Sequence, residues 1–175
     1  MMKRTIPRVL FLLPVLVFAV DSGGVRPRVD RSQYAVAIFN QSLAVAAELV
    51  PAEQVRKQFG AEVDSRYLVV EVGVFPMARD PLEIRPRDFI LRVNRTRDTI
   101  SASVPSAAGE LSETPKPVAT DLGAKCLPET STAKPVAGYL YFPVPEKKDG
   151  DNEYELEYKA QRIWMILPLR AGTPR

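Results

Sequence analysis

Proline is the residue that most constrains the fold of this chain. Sixteen of the 175 residues are proline, about 9% against a usual value of about 5%. Proline removes a backbone donor and interrupts helix interiors, whereas turns and sheet edges tolerate it. Hydrophobic residues at 46% and charged residues at 26% are typical of a globular protein. The composition therefore predicts a domain built from strands and turns rather than a helical bundle.

The segment RYLVVEVGVFP contains the clearest strand. Leu68, Val70, Val72 and Val74 alternate along it, so they share one face, and Pro76 ends it. We expect this row to face the core. The segment DFILRV repeats the alternation, and a polar connection then leads to TISASV, which predicts a hairpin.

The stretch GYLYFPVP predicts a second long strand. Its alternation places Leu140, Phe142 and Val144 on one face, which we expect to point inward. Tyr139 and Tyr141 lie on the other face, which we expect to be exposed. The charged segment EKKDGDNE follows and is typical of an exposed hairpin connection.

The segment YELEY predicts the partner strand of that hairpin. Tyr154, Leu156 and Tyr158 form the inward row, and Glu155 and Glu157 face water. An outward row of glutamates discourages aggregation between sheet edges. The alternative function of this glutamate row is catalytic, because glycoside hydrolysis requires only two carboxyl groups.

The segment PAEQVRKQFG is the clearest helix. Pro51 suits the first helical position, Val55 and Phe59 lie four residues apart on one face, and Gly60 suits the helix end. A helix this short is stable only when that face is packed. Upstream, QYAVAIFNQSLAVAAELV predicts two strands joined by a turn at FNQS, with a continuous alanine-rich helix as the alternative.

Residues 105–137 show no sustained periodicity. They carry five prolines and many small polar residues, which predicts a long loop of functional or mobile character. A short helix around SAAGEL is the alternative for part of this segment.

The first residues have the pattern of an export signal. MMKRTIPR supplies three basic residues, and the apolar run VLFLLPVLVFAV is shorter than the roughly 20 residues that span a bilayer. We expect a signal peptide over residues 1–19, cleaved after Ala19, with an uncleaved anchor as the alternative. The polar residues 20–32 then predict a flexible leader, and the chain is expected to reach the periplasm or the cell surface.

Charge and residue usage exclude several classes of function. The formal charge of +3 comes from 24 basic and 21 acidic residues, and loss of the signal peptide leaves 21 of each, so net basicity gives no argument for nucleic-acid binding. The sequence contains no histidine, which excludes histidine triads and histidine metal sites. One cysteine cannot form an internal disulfide or a multi-cysteine zinc site. We expect no cofactor, metal or catalytic residue.

The order of these segments resembles a known type of domain. LAVAAELVPAEQVRKQFG, then RYLVVEVGVFPMARDPLEIRPRDFILRV, then KPVAGYLYFPVP and YELEY are similar to exported bacterial immunoglobulin-like domains of unknown function, which occur on lipoproteins and other envelope proteins. The resemblance covers residues 43–169. It implies an all-β fold, an immunoglobulin-like antiparallel β-sandwich over residues 33–170 with one short helix after the first strands, and a tail over residues 171–175. The proline-rich 105–137 region and the lack of a cysteine after the apolar run depart from the pattern.

Two groups of side chains are candidates for contact. Tyr139, Tyr141 and Trp164 are candidate partner contacts, because exposed aromatic residues on a sheet often anchor recognition. A core position is the alternative for Trp164, since IWMIL is apolar on both faces. Arg85 and Arg87 are candidate anion contacts, because arginine binds carboxylate and phosphate through two parallel hydrogen bonds. A mixed, solvated hairpin is the alternative there.

Cys126 is a candidate intermolecular thiol. An unpaired cysteine in an exported protein can join two chains, which would give a homodimer. A buried, inert cysteine is the alternative.

The sequence thus predicts a non-catalytic exported module. We expect it to bind or scaffold an envelope protein, without nucleic acid, and to touch the membrane only through an uncleaved signal. A glycan-binding, glycan-processing or anion-binding protein is the alternative, using the Glu155 and Glu157 face or the Arg85 and Arg87 hairpin.

Overall fold

The structure, a computed structural model, describes residues 23–93, 98–103, 118–144, 153–160 and 162–169. The predicted signal peptide, the SAAGEL segment, most of EKKDGDNE and the tail lie outside these residues. The strands of the described chain are β1 (Val36–Phe39), β2 (Leu43–Leu49), β3 (Tyr67–Pro76), β4 (Leu82–Ile84), β5 (Phe89–Val93), β6 (Thr99–Ser101), β7 (Thr130–Thr132), β8 (Val136–Pro143), β9 (Tyr154–Ala160) and β10 (Ile163–Leu169). The helices are α1 (Ala52–Phe59), α2 (Ala61–Arg66) and α3 (Val118–Lys125), with short 3-10 turns at Arg31–Gln33 and Pro86–Asp88.

The strands form two four-stranded sheets and one small ribbon. The first sheet has the order β1-β2-β3-β8, the second has the order β10-β9-β5-β6, and β4 pairs with β7. Every pairing between these strands is antiparallel. The prediction of an all-β fold is confirmed. The predicted hairpin between GYLYFPVP and YELEY is wrong, because β8 pairs with β3 in the first sheet and β9 pairs with β5 and β10 in the second.

The core lies between the inner faces of the two sheets. Val70, Val72 and Val74 of β3 are fully buried in it, as the alternation predicts, and they share one cluster with Leu156 and Tyr158 of β9. Leu140 and Phe142 of β8 join the same cluster, as do Phe89 and Leu91 of β5. The inward rows predicted from the sequence are therefore confirmed, except that Val144 lies beyond the end of β8 and is only partly buried.

The first strands are a hairpin rather than a helix. Asn40 explains why the chain turns at FNQS, because its side-chain oxygen accepts hydrogen bonds from the backbone N–H of Ser42 at 2.8 Å and of Leu43 at 3.0 Å. Such a local bond gives the backbone an alternative to helical pairing. The alternative of a continuous helix is excluded.

Helices cover the outer face of the first sheet. The predicted helix PAEQVRKQFG is present as α1, with Val55 and Phe59 buried and with Gly60 at a φ of 94°, a value that favours glycine. Val63 of α2 and Leu122 of α3 are also buried in this second cluster. The helices α2 and α3 are additions to the single helix that the sequence predicts.

Residues 23–34, which we name the N-terminal strap, also lie on this outer face. Val25 forms an isolated bridge with Ala137 of β8, and Asp30 accepts a hydrogen bond from the Ser32 N–H that starts a short 3-10 turn. The sequence predicts a flexible leader over residues 20–32, and its described part is packed instead. This polar segment is held on the sheet by the side chain of Arg28, which binds Glu48 and Glu71. No helix among the described residues is long and apolar enough to cross a bilayer.

Candidate functional site

The two outer sheet faces differ in what covers them. The helices and the strap lie on the first sheet, whereas the outer face of the second sheet has no helix on it within the described part of the chain. We name this second surface the open face. It consists of the outward residues of four strands: Trp164, Ile166 and Pro168 of β10, Glu155, Glu157 and Lys159 of β9, Ile90 and Arg92 of β5, and Thr99 and Ser101 of β6.

Trp164 is the most prominent side chain of the open face. The alternation of β10 buries Met165, Leu167 and Leu169 in the core and leaves Trp164 65% exposed. The alternative of a core position for Trp164 is excluded. A large apolar side chain at this exposure is informative because most residues of this size lose most of their surface on folding.

Glu157 fixes the position of the Trp164 side chain. The indole N–H of Trp164 donates to Glu157 Oε1 at 2.9 Å. Arg92 donates to the other oxygen, Oε2, at 3.5 Å. The carboxylate therefore joins an aromatic ring to a guanidinium group across three strands. The open face thus combines apolar side chains along the edge strand β10 with charged side chains along the neighbouring strand β9.

Strand β10 lies at the edge of its sheet, and Pro168 fits that position. The N–H of Val93 donates to the carbonyl of Asp98, so it points toward β6. The backbone hydrogen-bonding groups of successive residues point to alternate sides of a strand, so those of Arg92 point toward β9. By the same alternation, the backbone groups of Leu167 point toward β9 and those of Pro168 point away from it. Proline at this position loses no ladder bond and weakens the free edge as a template for another strand.

Tyr139 and Tyr141 do not lie on the surface. They are 8% and 0% exposed, so the prediction that they face solvent is wrong. The ring of Phe59 meets both of them edge to face, with centroids 5.0 Å from Tyr139 and 6.0 Å from Tyr141. Burial raises the pKa of Tyr139 to about 12. These tyrosines are the surface on which α1 packs, which follows from the requirement that Val55 and Phe59 find apolar partners.

Arg85 and Arg87 lie together, but acidic residues accompany them. Arg85 is ion-paired with Glu83 and lies 3.6 Å from Glu129, and Arg87 lies 3.5 Å from the same Glu129 oxygen. Strand β7 follows Glu129 and pairs with β4, which brings this carboxylate next to the arginines. An anion would compete with two carboxylates for this site. Burial raises the pKa of the adjacent Asp88.

Cys126 lies at the end of α3 and is only partly exposed. Its thiol donates to the Leu122 carbonyl at 3.4 Å, and its backbone forms a parallel bridge with Tyr139 of β8. Burial raises the pKa of the thiol, which disfavours the reactive thiolate. The intermolecular disulfide stays a prediction, and the surroundings of the Cys126 thiol do not favour its reactive thiolate form.

A charged cluster that the sequence analysis missed lies under the strap. Arg28 donates through Nε and Nη2 to the two oxygens of Glu71 at 2.9 Å and 2.6 Å. It donates to Glu48 as well, through Nη1 at 2.9 Å and through a second contact from Nη2. The side chains of Arg28, Glu48 and Glu71 are 15%, 14% and 10% exposed. The signal was present, because Glu48 and Glu71 are single charges within the apolar segments LAVAAEL and YLVVEVGV.

Within the described residues, no group of three or more carboxylate or thiol side chains is arranged to hold a metal ion. The charged cluster has two carboxylates, and a guanidinium group fills the space between them.

Comparison with known proteins gives no family for this chain. No family model and no curated protein matches it. Among solved structures, a putative lipoprotein (ycdA) from Bacillus subtilis is 19% identical with a TM-score of 0.42, and the match covers 70% of this chain and 32% of that one. The yjhA protein from Bacillus subtilis is 12% identical with a TM-score of 0.44, and the match covers 79% of this chain and 97% of that one. The chain thus spans about a third of the length of the first of these two proteins.

Proposed function

We propose that this chain is a non-catalytic, exported binding or scaffolding module of the bacterial cell envelope. Its protein partner docks on the open face, with Trp164 at the centre of the contact. Export rests on the basic start and short apolar run of residues 1–19. The immunoglobulin-like assignment rests on two packed antiparallel four-stranded sheets together with the sequence resemblance.

The exposure of Trp164 is the observation that carries this proposal. Tryptophan is among the residues that contribute most to protein interfaces, because one rigid side chain buries a large area. The hydrogen bond to Glu157 holds the ring in one orientation before any partner arrives. Less side-chain freedom is then lost on binding, which favours affinity. The helices and the strap cover much of the outer face of the first sheet, although Phe39 on its edge strand β1 stays 60% exposed.

Binding to envelopes of the native host tests the proposal. The labelled mature protein is titrated against washed envelopes, and a saturable fraction is expected that unlabelled protein displaces. Trp164→Ala should raise the half-saturation concentration by about 30-fold, which corresponds to a contact that contributes about 2 kcal/mol to binding. Phe39→Ala is the matched control, since Phe39 is 60% exposed on the other sheet and should bind normally.

Protease treatment of the envelopes identifies the class of partner. Loss of the saturable fraction after protease treatment supports a protein partner. Equal binding of the wild type and Trp164→Ala would refute the role of the open face.

A glycan is the second candidate, and the Trp164, Glu157 and Arg92 arrangement favours it. Sugar rings stack on exposed aromatic side chains, while neighbouring carboxylate and guanidinium groups bond their hydroxyls. This alternative expects binding that survives protease and disappears when the cell-wall glycan is digested. Glu157→Gln and Glu155→Gln distinguish glycan processing from glycan binding. If the protein processes the glycan, these variants should no longer form the reaction product; a protein that only binds the glycan forms no product in either case.

A further inference from the structure

The turn that joins β9 and β10 places two cationic residues beside Trp164. Lys159 is the cross-strand partner of Trp164, and Arg162 lies in the turn itself, just before β10 begins. Both residues are exposed. Directly opposite residues of an antiparallel pair lie on the same face, so Lys159 extends from the open face next to the indole ring. We name Lys159, Arg162 and Trp164 the hairpin tip.

Lys159 and Trp164 form a closely spaced pair. Trp164 has the same parity along β10 as Pro168, so its backbone groups point away from β9 and no ladder bond joins it to Lys159. In such pairs the side chains lie closer together than in hydrogen-bonded pairs. A group that covers the Trp164 ring therefore comes within reach of the Lys159 ammonium group.

The positive charge of the hairpin tip is not neutralised locally. Neither Lys159 nor Arg162 forms an ion pair with a residue in the described part of the chain. The carboxylate next to Trp164 is that of Glu157, and it already accepts hydrogen bonds from Trp164 and Arg92. Two cations therefore remain beside the exposed ring.

The other acidic residues of this sheet have their own partners or lie farther along it. Asp88 precedes β5 at this end of the sheet, and Arg85 and Arg87 are the cations that act on it. Glu155 is separated from Lys159 by four positions of β9, which is about 13 Å at about 3.3 Å per residue. This separation exceeds the screening length of about 8 Å at physiological ionic strength.

We propose that the protein partner of the open face presents carboxylate side chains to the hairpin tip. This inference rests on the proposed function and specifies the chemistry of the partner. An apolar group of the partner covers the Trp164 ring, and aspartate or glutamate side chains beside that group pair with Lys159 and Arg162. Charges at the border of an interface act on the association rate and on its salt dependence, whereas a buried aromatic anchor acts on dissociation. The two parts of the contact therefore have separate signatures.

The composition of the hairpin tip favours a protein over an anionic membrane. Segments that bind anionic lipids carry clusters of about four to eight lysine and arginine residues, and the hairpin tip has two. A membrane that covered Trp164 would also meet the Glu157 carboxylate, which is hydrogen-bonded to the indole N–H. A protein can place its acidic groups over the two cations alone.

The salt dependence of envelope binding tests the charge of the partner. The half-saturation concentration of the labelled mature protein on washed envelopes is measured at about 50 mM and about 500 mM NaCl, because salt screens exposed charges. Wild-type binding should weaken as salt rises. Lys159→Gln with Arg162→Gln should raise the half-saturation concentration by about three- to tenfold at low salt and remove most of the salt dependence. Lys159→Glu with Arg162→Glu should reverse the salt dependence, because like charges then repel.

Lys134→Gln with Arg79→Gln is the matched control. These two exposed residues flank strands of the first sheet, and the change removes the same net charge. The control should bind as the wild type does at both salt concentrations. Equal binding of the control and the Lys159→Gln, Arg162→Gln variant, with Trp164→Ala still weakened, would refute the acidic partner and leave the proposed function standing. Normal binding of Trp164→Ala would overturn both proposals.

Amidation of the envelopes identifies the charged group of the partner. Carbodiimide with ethanolamine converts exposed carboxylates into neutral amides and leaves the phosphate groups of lipids charged. Loss of the salt-dependent part of binding after this treatment supports partner carboxylates. Salt-dependent binding that survives amidation, or binding of the same strength to phosphatidylglycerol vesicles, would overturn the proposal in favour of a phosphate-bearing surface.

Discussion

Gly138 gives the sharpest test of how the chain closes the edge of the first sheet. The segment at Cys126 and Leu127 runs beside β8, with the Leu127 N–H bonded to the Tyr139 carbonyl at 3.1 Å. A Cβ added at Gly138 would lie 2.3 Å from both the N and Cα atoms of Leu127, and 2.7 Å from the Cys126 carbonyl carbon. Carbon atoms approach each other comfortably at about 3.5–4.0 Å, so a methyl group here overlaps backbone that cannot rotate away.

The expected loss follows from these contacts. Overpacking of this kind costs about 1–3 kcal/mol, and separation of the two segments adds about 1 kcal/mol for the lost Leu127 to Tyr139 hydrogen bond. We therefore expect Gly138→Ala to lower the free energy of unfolding by about 3 kcal/mol and the Tm by about 6–12 °C.

Urea and thermal unfolding, followed by circular dichroism, measure this loss. Gly123→Ala is the matched control, because a Cβ at Gly123 meets nothing within 4 Å and alanine favours helix α3 by about 1 kcal/mol. If Gly138→Ala unfolds within 1 kcal/mol of the wild type, the close packing of Leu127 on β8 is refuted.

Three further predictions concern the two sheet faces. Trp164→Ala should change the free energy of unfolding by less than about 0.5 kcal/mol, because the side chain is mostly exposed, and a loss above that value in urea unfolding would indicate a structural role. Phe59→Ala should cost about 3–5 kcal/mol in the same assay, because it removes the ring that α1 packs against Tyr139; a smaller loss would mean that the helix layer is loosely held. Burial raises the pKa of Tyr34, Tyr139 and Tyr158 to about 12, so the stability they confer is complete below about pH 10 and is lost as the pH rises toward 12. Urea midpoints at pH 8 and pH 11 should show this fall, and Tyr158→Phe should reduce it.

Alternation in the sequence is sufficient to predict which rows of each strand meet in the core. The row from Leu68 to Val74, the YELEY row and the short helix α1 follow from residue spacing alone, because side chains alternate along strands and recur every three to four residues along helices. The turn at Asn40 is likewise predictable, because its side chain bonds the next backbone groups. All of these features depend on residues close together in the chain.

The outward rows were harder to predict, because spacing does not say what lies on top of them. Tyr139 and Tyr141 read as an exposed pair until the partners of Val55 and Phe59 are considered. Trp164 lies in a segment that is apolar on both rows, so the sequence does not say which row faces the core. The structure places Trp164 on the outer row of β10, which no helix of the described chain covers. Contacts between distant parts of the chain decide these cases.

The strap was missed for a related reason. Residues 20–32 have the composition of a linker. Their described part is held by an ionic contact between Arg28 and two glutamates far along the chain and by the bridge between Val25 and Ala137. Glu48 and Glu71 within apolar strands were the available signal, since a charge in a buried strand requires a partner.

Photo-crosslinking in living cells of the native host tests whether the open face binds a protein partner. A benzophenone amino acid replaces Trp164 in one strain and Phe39 in another, and the products are compared after irradiation. We expect one discrete protein adduct from position 164 that excess unmodified protein suppresses, and none from position 39. Adducts of equal yield from both positions, or no adduct from position 164, would contradict the assignment of the open face as the binding surface.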